Sequence, residues 1–227
     1  MKILLVSATT LEIAPTLQFL ESHWTKVSFS KYSKDKIQLI PLVTGVSSMM
    51  MAFALSRLKN IQEMDLVIHA GISGSFRFEI KPTEVVEVIS EQWADLGSED
   101  KDGNFIDAFE LGLMEKNRFP YEQGKLLKKQ KTISTGLKQV AGLTVNKSTG
   151  SHESINRMKR KFDADVESME GAGLFYACNV MDLPFISIHS ISNYVEPRDK
   201  SKWKMEEAID HLNKTIIKLL ERIEVGD

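Results

Sequence analysis

The sequence predicts a single α/β domain built in three layers. Segments typical of buried strands alternate along the chain with segments of helical spacing, and polar turns follow the predicted strand ends. No linker rich in Pro, Gly or Ser divides the 227 residues, so one domain over residues 1–227 is expected. Because ligands of α/β sheets bind where strands end, we expect the functional site along one edge of the sheet.

Composition and charge argue against several classes of function. The formal net charge is −2 with Lys and Glu interspersed, so a nucleic-acid-binding surface is not expected. The apolar run at residues 3–6 is too short for a signal peptide or a membrane span, which predicts a first strand and a cytoplasmic protein. Cys178 lies among apolar residues of a predicted helix and is interpreted as an unreactive buried thiol. The histidines show no spacing typical of metal ligands, apart from His152 beside Glu153, so no metal site is predicted.

The first helix places a carboxylate just after the first strand. Apolar residues at helical spacing over 11–20 follow a polar turn, with Thr9 or Thr10 as the N-cap. Glu12 falls in the first turn of this helix. A capping carboxylate and a catalytic carboxylate are both compatible with that position.

The next segments predict a hairpin and a second strand-to-helix turn. Residues 26–30 and 37–43 have the pattern of two strands around a charged turn at 33–36. The turn at 44–48, which contains Val46, leads into a helix that is predicted to be packed all round, and its methionines are interpreted chiefly as core. Backbone amides in such a turn often face an anion or a ligand oxygen.

Another buried strand, at residues 65–70, runs into a turn rich in Gly and Ser that contains Ser73 and Gly74. The spacing of this turn matches neither the dinucleotide-binding fingerprint nor a phosphate-binding loop. Further on, residues 98–131 are polar and broken by Gly and Pro, so we expect an extended excursion with little regular structure. Long excursions in compact domains are usually functional or form interfaces.

A Met-Glu pair marks the start of a helix in the C-terminal half. Met169 and Glu170 precede the small residues 171–173, which allow a ligand or another backbone to approach closely. The helix dipole and the free amides of the first turn favour an anion at this position. We therefore expect Glu170 to stay ionised and to accept hydrogen bonds, as a sugar diol would require.

A second polar cluster follows a strand that is predicted to be buried on both faces. Residues 184–189 form this strand, and Ser192 and Asn193 come where it ends. The remaining predicted elements are a short strand at 142–145, a helix at 153–161 and an amphipathic helix at 203–223.

Five features, in order along the chain, resemble the nucleoside phosphorylase/nucleosidase superfamily. They are Glu12, the turn at 44–47, the turn at 71–75, the Met169-Glu170 pair and Ile191-Ser192-Asn193. The resemblance covers nearly the whole chain and is specifically to the nucleosidase branch, which includes methylthioadenosine/S-adenosylhomocysteine nucleosidases and futalosine hydrolases. It implies a three-layer α/β/α domain with a mixed central sheet, hydrolysis of a purine N-glycosidic bond, and no cofactor.

The resemblance also implies roles for individual residues. Glu12 would deprotonate the attacking water, Met169 would pack against the ribose, and Glu170 would accept hydrogen bonds from the ribose hydroxyls. Ser192 and Asn193 would face the purine. Further substrate-binding residues are implied in the two matching turns, namely Val46, Ser73 and Gly74. Glycosidic cleavage passes through a cationic, oxocarbenium-like sugar, so carboxylates around the sugar suit the reaction.

One departure from the adenosine-type members concerns the base. They carry Asp where this chain has Asn193, whose amide has no titratable proton but offers one donor and one acceptor. These match O6 and the N7–H of a leaving 6-oxopurine. An exocyclic amine would instead face the NH₂ of the amide, and each buried donor left without an acceptor would cost about 1–3 kcal/mol. A hypoxanthine-type base is therefore predicted, and the chain looks most like the futalosine hydrolase family, which acts in an alternative menaquinone pathway.

Futalosine also carries a benzoate, which requires a cation. Arg198, Lys200 and Lys202 follow the predicted base-binding residues and are the candidates, with Arg198 assigned to substrate binding. A surface salt bridge is an equally compatible role for each of them.

Three alternatives remain open at this stage: an adenosine-type nucleosidase, a purine nucleoside phosphorylase, and an inactive nucleoside-binding module. A phosphorylase must neutralise phosphate, but residues 7–19 and 44–55 contain no Arg or Lys, which favours water as the nucleophile. An inactive module would have no need of Glu12. From the resemblance we expect a homo-oligomer, with the helix at 48–59 or the excursion at 98–131 forming the contact.

Overall fold

The computed structural model describes residues 1–225 and contains one large mixed sheet with helices on both faces. The helices are α1 (Thr10–His23), α2 (Ser48–Arg57), α3 (His152–Lys161), α4 (Gly171–Val180) and α5 (Met205–Val225), with short 3₁₀ helices at Ile61–Glu63 and Lys200–Lys202. The strands are β1 (Lys2–Ser7), β2 (Thr25–Ser28), β3 (Lys31–Lys34), β4 (Ile37–Val43), β5 (Leu66–Ser75), β6 (Val85–Trp93), β7 (Gly97–Glu99), β8 (Phe105–Asp107), β9 (Tyr121–Glu122), β10 (Lys125–Leu127), β11 (Lys138–Thr144), β12 (Val166–Ser168) and β13 (Phe185–Tyr194).

The sheet is organised around β5 and β13, which pair in parallel over their whole lengths. On one side, β1 and β4 continue the parallel arrangement, and β3 and β2 follow as antiparallel edge strands. On the other side, β13 pairs with β6, β6 with β11, β11 with β12, and β12 again with β5. Five strands therefore pair in a closed circle, which we call the strand ring.

Apolar side chains fill both faces of the sheet. On one face Leu55 and Phe175 of α2 and α4 pack in the same buried cluster as Val67 of β5. On the other face Ile13 of α1 packs in a cluster with Ile68 of β5 and residues of α5. Successive strand residues point to opposite faces, so the continuous apolar strands of the sequence supply both cores. The predicted fold class, three layers with a mixed sheet, is confirmed.

The first strand of the predicted hairpin was placed too early in the sequence. The partner of β4 is Lys31–Lys34, and the chain turns at Asp35, whose φ is 49°. Residues Thr25–Ser28 form a further edge strand that is exposed throughout. The sequence pattern was misleading because β3 is short and contains two Lys residues, with Tyr32 as its one buried residue.

The excursion at 98–131 contains more regular structure than expected. Strands β7 and β8 form a separate two-stranded hairpin, while β9 and β10 pair with each other and extend the main sheet from β6. Each of these strands has only two or three residues, which is why periodicity did not reveal them. The strand predicted at 142–145 also begins earlier, at Lys138.

Helix α2 is not packed all round, contrary to the prediction. Met51 and Leu55 are fully buried, but Met49, Met50 and Phe53 have exposed fractions of 74%, 46% and 60%. The helix thus buries one stripe and leaves an apolar stripe open. We call the three exposed residues the α2 patch.

None of the helices within residues 1–225 has the length and apolar character needed to cross a bilayer.

Candidate active site

A cavity of about 450 Å³ opens at the ends of β1, β5 and β13, on the side of the sheet that also carries the start of α4. Its lining includes every residue predicted from the sequence, namely Glu12, Val46, Ser73, Gly74, Met169, Glu170, Ser192, Asn193 and Arg198. Sequence reasoning missed several others that line it, among them Thr149, Glu167, Trp203, Met205 and Ile209. The predicted location at strand ends is therefore correct.

Glu12 serves as a helix cap with one carboxylate oxygen. Oε2 accepts hydrogen bonds from the backbone N–H and the hydroxyl of Thr9, both at 2.8 Å, and Ser7 Oγ lies 3.1 Å away. Within residues 1–225 no protein donor bonds to Oε1 of the same group. The capping and catalytic interpretations are therefore compatible, because one oxygen fixes the side chain and the other is available to the cavity.

Glu170 stands at the N-cap position of α4 but does not cap that helix. Its Oε1 accepts a hydrogen bond of 3.0 Å from the backbone N–H of Ser47, and the side chain is 8% exposed. The turn before α2 thus points an amide at an anion, as its sequence predicted, and the anion is a carboxylate of the protein itself.

The expectation that Glu170 stays ionised holds only in part, because both charge states of the carboxyl are populated near neutral pH. Burial, and secondarily the negative charge of Glu12, raise the pKa of Glu170 to about 7. The helix dipole and one amide donor do not compensate for the loss of hydration. The Glu170 carboxyl therefore changes charge close to neutral pH.

Another carboxyl, Glu91 of β6, does not line the cavity but is close enough to Glu170 to interact with its charge, and it was not predicted. Its Oε2 accepts from Thr144 Oγ1 at 2.7 Å, and that hydroxyl in turn accepts from the backbone N–H of Ala172 at 2.7 Å. Burial raises the pKa of Glu91 to about 8. A Cβ on Gly171 would lie 1.9 Å from Glu91 Oε1, so the small first turn of α4 makes room for this carboxyl. Nothing in the local sequence distinguishes Glu91 from the other charged residues of its strand.

The residues predicted to bind the base form a compact group at the end of β13. Ser192 Oγ donates to Asn193 Oδ1 at 2.7 Å, and Asn193 Nδ2 donates to the carbonyl of Tyr194 at 2.8 Å. Gly74 packs against them, since a Cβ there would lie 2.9 Å from Val195 and 3.3 Å from Asn193 Nδ2. The orientation of the amide is therefore fixed by its neighbours.

Of the three candidate cations, the structure brings only Arg198 to the cavity. Its guanidinium lies 5.0 Å from the centre of the Trp203 ring, and Nη1 donates to Ser148 Oγ at 3.2 Å. Lys202 pairs instead with Glu196 at 3.2 Å. Among the described residues that line the cavity, Arg198 is the single Lys or Arg.

Within residues 1–225, no group of three or more His, Cys, Asp or Glu side chains is arranged so that it could hold a metal ion.

Comparison with known proteins matches this architecture. The family model described as "Phosphorylase superfamily" matches residues 2–223. The chain belongs to the phosphorylase superfamily. Within the superfamily, the futalosine hydrolase of Thermus thermophilus is 30% identical over 183 residues, covering 79% of this chain and 80% of that protein. The futalosine hydrolase of Streptomyces coelicolor is 31% identical over 156 residues, covering 68% of this chain and 65% of that protein.

Solved structures of the superfamily show the same fold. The methylthioadenosine/S-adenosylhomocysteine nucleosidase of Colwellia psychrerythraea, in complex with adenine, has a TM-score of 0.76 at 18% identity, covering 98% of this chain and 95% of that one. The Streptococcus pneumoniae nucleosidase in complex with 8-aminoadenine has a TM-score of 0.77 at 17% identity, covering 97% and 99%. The resemblance predicted from the sequence is confirmed, as is the prediction of a nucleosidase-type hydrolase. The roles of individual residues stay predictions.

Proposed function

We propose that this chain hydrolyses the N-glycosidic bond of futalosine and releases hypoxanthine. The proposal is carried by one observation: Glu12, Glu170 and the amide of Asn193 line the same cavity. Two carboxyls suit the sugar, and an uncharged amide suits a 6-oxopurine. The similarity to two futalosine hydrolases supports the same substrate.

In this mechanism the C1′–N9 bond breaks and its electron pair goes to the base. Ionised Glu170 accepts hydrogen bonds from the ribose hydroxyls and stabilises the positive charge that develops on the sugar. Glu12 accepts a proton from the water that adds to C1′, through the oxygen that does not cap α1. Met169, half-buried at the cavity wall, packs against the ribose.

The base is recognised by Asn193 next to Ser192 and Gly74. The amide of Asn193 donates to O6 and accepts from the N7–H of hypoxanthine. Its NH₂ has two donors, so one can bond to the base while the other keeps its bond to the Tyr194 carbonyl. Because Asn cannot supply a titratable proton, N7 takes its proton from solvent, and the proton that Glu12 removes from the water returns to solvent. The amide then stabilises the protonated base. An amino group at C6 would instead face the NH₂ of the amide.

Arg198 is the cation that we assign to the carboxylate of the benzoate. Its guanidinium lies 5.0 Å from the centre of the Trp203 ring and uses one donor on Ser148 Oγ, so other donors of the planar group can form two parallel hydrogen bonds with a carboxylate. Trp203 offers an apolar surface for the aromatic ring beside it. Val46, 45% exposed at the cavity wall, adds to that apolar surface.

Water rather than phosphate is the nucleophile in this proposal. The turn amide of Ser47 that could hold a phosphate is occupied by Glu170, and both carboxyls next to it would repel an anion. An adenosine-type nucleosidase is the alternative, supported by the fold of the solved neighbours alone. We further propose that the enzyme is a cytoplasmic homo-oligomer that contributes to menaquinone biosynthesis.

Purine release tests the function directly. The purified protein is incubated with futalosine, inosine, methylthioadenosine or S-adenosylhomocysteine, each with and without phosphate, and Glu12→Gln protein serves as the control for contaminating activity. We expect hypoxanthine from futalosine at a rate that does not depend on phosphate. Adenine release would support the adenosine-type alternative, and a strict need for phosphate would show a phosphorylase.

A further inference from the structure

A buried chain of polar side chains leads from the cavity into the sheet. Ser73 Oγ, at the cavity wall, is hydrogen-bonded to Nδ1 of His189. Nε2 of His189 lies 3.3 Å from Nδ1 of His69, which lies 3.0 Å from Ser187 Oγ. All four side chains are at most 3% exposed. Neither histidine lines the cavity, and the proposed mechanism uses neither of them.

The pairing of β5 with β13 brings these residues together. Ser187 is opposite His69 and His189 is opposite Gly71, and residues two apart on a strand share a face. A Cβ on Gly71 would lie 3.3 Å from His189 Nε2, so the glycine gives the ring its space. The two rings meet edge to face, with centres 4.8 Å apart. The His189 ring is therefore contacted at Nδ1 by Ser73 and at Nε2 by His69.

The hydrogen-bond partners favour one arrangement of protons. Burial lowers the pKa of His189 to about 4 and that of His69 well below its ordinary value, so each neutral ring has one N–H. If His69 Nδ1 accepts, its one lone pair is shared by the Ser187 hydroxyl and His189 Nε2–H, and His189 Nδ1 then receives the Ser73 hydroxyl. In the opposite arrangement, one N–H of His69 would face two acceptors. The first arrangement gives each of these three donors an acceptor.

We propose that His189, supported by His69 and Ser187, is a positioning residue that turns the oxygen lone pairs of Ser73 into the cavity. The Ser73 hydroxyl then donates to His189 Nδ1, and its oxygen accepts a hydrogen bond from a substrate hydroxyl or from the attacking water. This assignment rests on the proposed function for its kinetic consequences. His189 acts entirely through Ser73, which touches the ligand.

A double-mutant cycle tests this dependence. We expect Ser73→Ala and His189→Phe each to lower kcat for hypoxanthine release from futalosine about tenfold, the effect of one neutral hydrogen bond. The double variant should be no slower than Ser73→Ala alone. His189→Asn, whose Oδ1 can replace Nδ1 as the acceptor, should recover most of the rate. His23→Asn, on the exposed surface of α1, is the matched control and should match the wild type.

Two kinetic outcomes would overturn the proposal. If His189→Phe lowered kcat by the same factor in the Ser73→Ala protein as in the wild type, His189 would act independently of Ser73. If His189→Asn were as slow as His189→Phe while both melted at the wild-type temperature, the acceptor at Nδ1 would have no role.

A measurement without substrate separates this proposal from the proposed function. Nitrogen-15 NMR of wild-type protein labelled at histidine should show His189 protonated at Nε2 and bare at Nδ1, with the Nδ1 signal shifted by Ser73→Ala. Protonation at Nδ1 would overturn the proposal even if the variants fail to fold. Wild-type protein that shows the expected tautomer but does not act on futalosine would refute the proposed function alone.

Discussion

The backbone N–H of Ser47 donates to Oε1 of Glu170 across 3.0 Å, although the two residues are 123 positions apart. The backbone of Ser47 has a φ of 129°, a value that residues other than glycine rarely adopt. The starts of α2 and α4 also approach closely, since a Cβ on Gly173 would lie 2.2 Å from the carbonyl oxygen of Ser48. A strained turn therefore fixes the orientation of the Glu170 carboxyl.

The pH dependence of turnover should report the charge of Glu170. Its pKa is raised to about 7, and only the ionised form accepts hydrogen bonds on both oxygens. We therefore expect kcat/KM to be low in acid, to rise as pH passes about 7, and then to level off. Measurement of kcat/KM for futalosine from about pH 5 to about pH 9 tests this. A profile that is flat across neutral pH would contradict either the raised pKa of Glu170 or the need for its ionised form.

Substitutions of Glu12 should separate its two roles. Gln also completes a capping box at this position, so Glu12→Gln should remove turnover while leaving the melting temperature and nucleoside binding close to wild type. Glu12→Ala should remove turnover and also destabilise the fold by about 1 kcal/mol, because the Thr9 N–H loses its acceptor. Activity assays, calorimetric binding and thermal melts distinguish the two variants. Unchanged turnover in Glu12→Gln would rule out Glu12 as the base.

Asn193→Asp should move the preference toward 6-aminopurines. A carboxylate accepts from an exocyclic amine and opposes O6, so the ratio of kcat/KM for adenine over hypoxanthine nucleosides should rise by about tenfold or more. The ratio is measured with methylthioadenosine and futalosine on both proteins. Ser192→Ala provides a comparison, because it removes the bond to Asn193 Oδ1 without a change in charge. A mutant that keeps the 6-oxo preference would show that Asn193 does not select the base.

Glu91 should make the protein less stable as pH rises. Its pKa is about 8 in the folded chain against an ordinary value of 4.5, so between these values the folded state binds more protons than the unfolded state. Stability should therefore fall from about pH 4.5 to about pH 8, and Glu91→Gln, which mimics the protonated group, should remove that part of the slope. Urea unfolding at several pH values measures it. The surface variant Glu115→Gln should keep the wild-type slope, and an identical slope in Glu91→Gln would contradict the raised pKa.

The α2 patch should mediate self-association. Met49, Met50 and Phe53 form a contiguous apolar stripe on one helix, which a second copy of the chain can cover. Phe53→Glu should shift the protein to a smaller species in sedimentation velocity. Phe29→Glu, at a position that is 95% exposed and outside α2, should have no such effect. A wild-type monomer, or an oligomer that tolerates Phe53→Glu, would exclude the α2 patch as the interface.

The sequence was a good guide where a functional side chain stands next to a strong local signal. Glu12 follows a strand and begins a helix, and Asn193 ends a buried strand, so topology alone brings them to one edge. The helix around Met51 was misjudged because an apolar helix can be buried on one side and open to a partner on the other.

Long-range relationships were beyond the sequence. The contact of Glu91 with Gly171 depends on how β6 and α4 pack, and the high pKa of Glu170 depends on its depth and on the charge of Glu12. Local rules predicted a fully ionised Glu170 because they include the helix dipole but not burial. The link from His189 to Ser73 likewise requires the register between two strands.

The strand ring has a consequence for how the enzyme loses activity. Strand β12 has three residues, yet it is bonded to β11 on one side and to β5 on the other, and Met169 and Glu170 follow it directly. Movement of this segment away from the sheet would break the hydrogen bonds of β12 to β5 and β11. We therefore expect the backbone amides of β12 to exchange with deuterium only when the whole domain unfolds. Inactivation by denaturant and loss of the folded state should then be a single cooperative event.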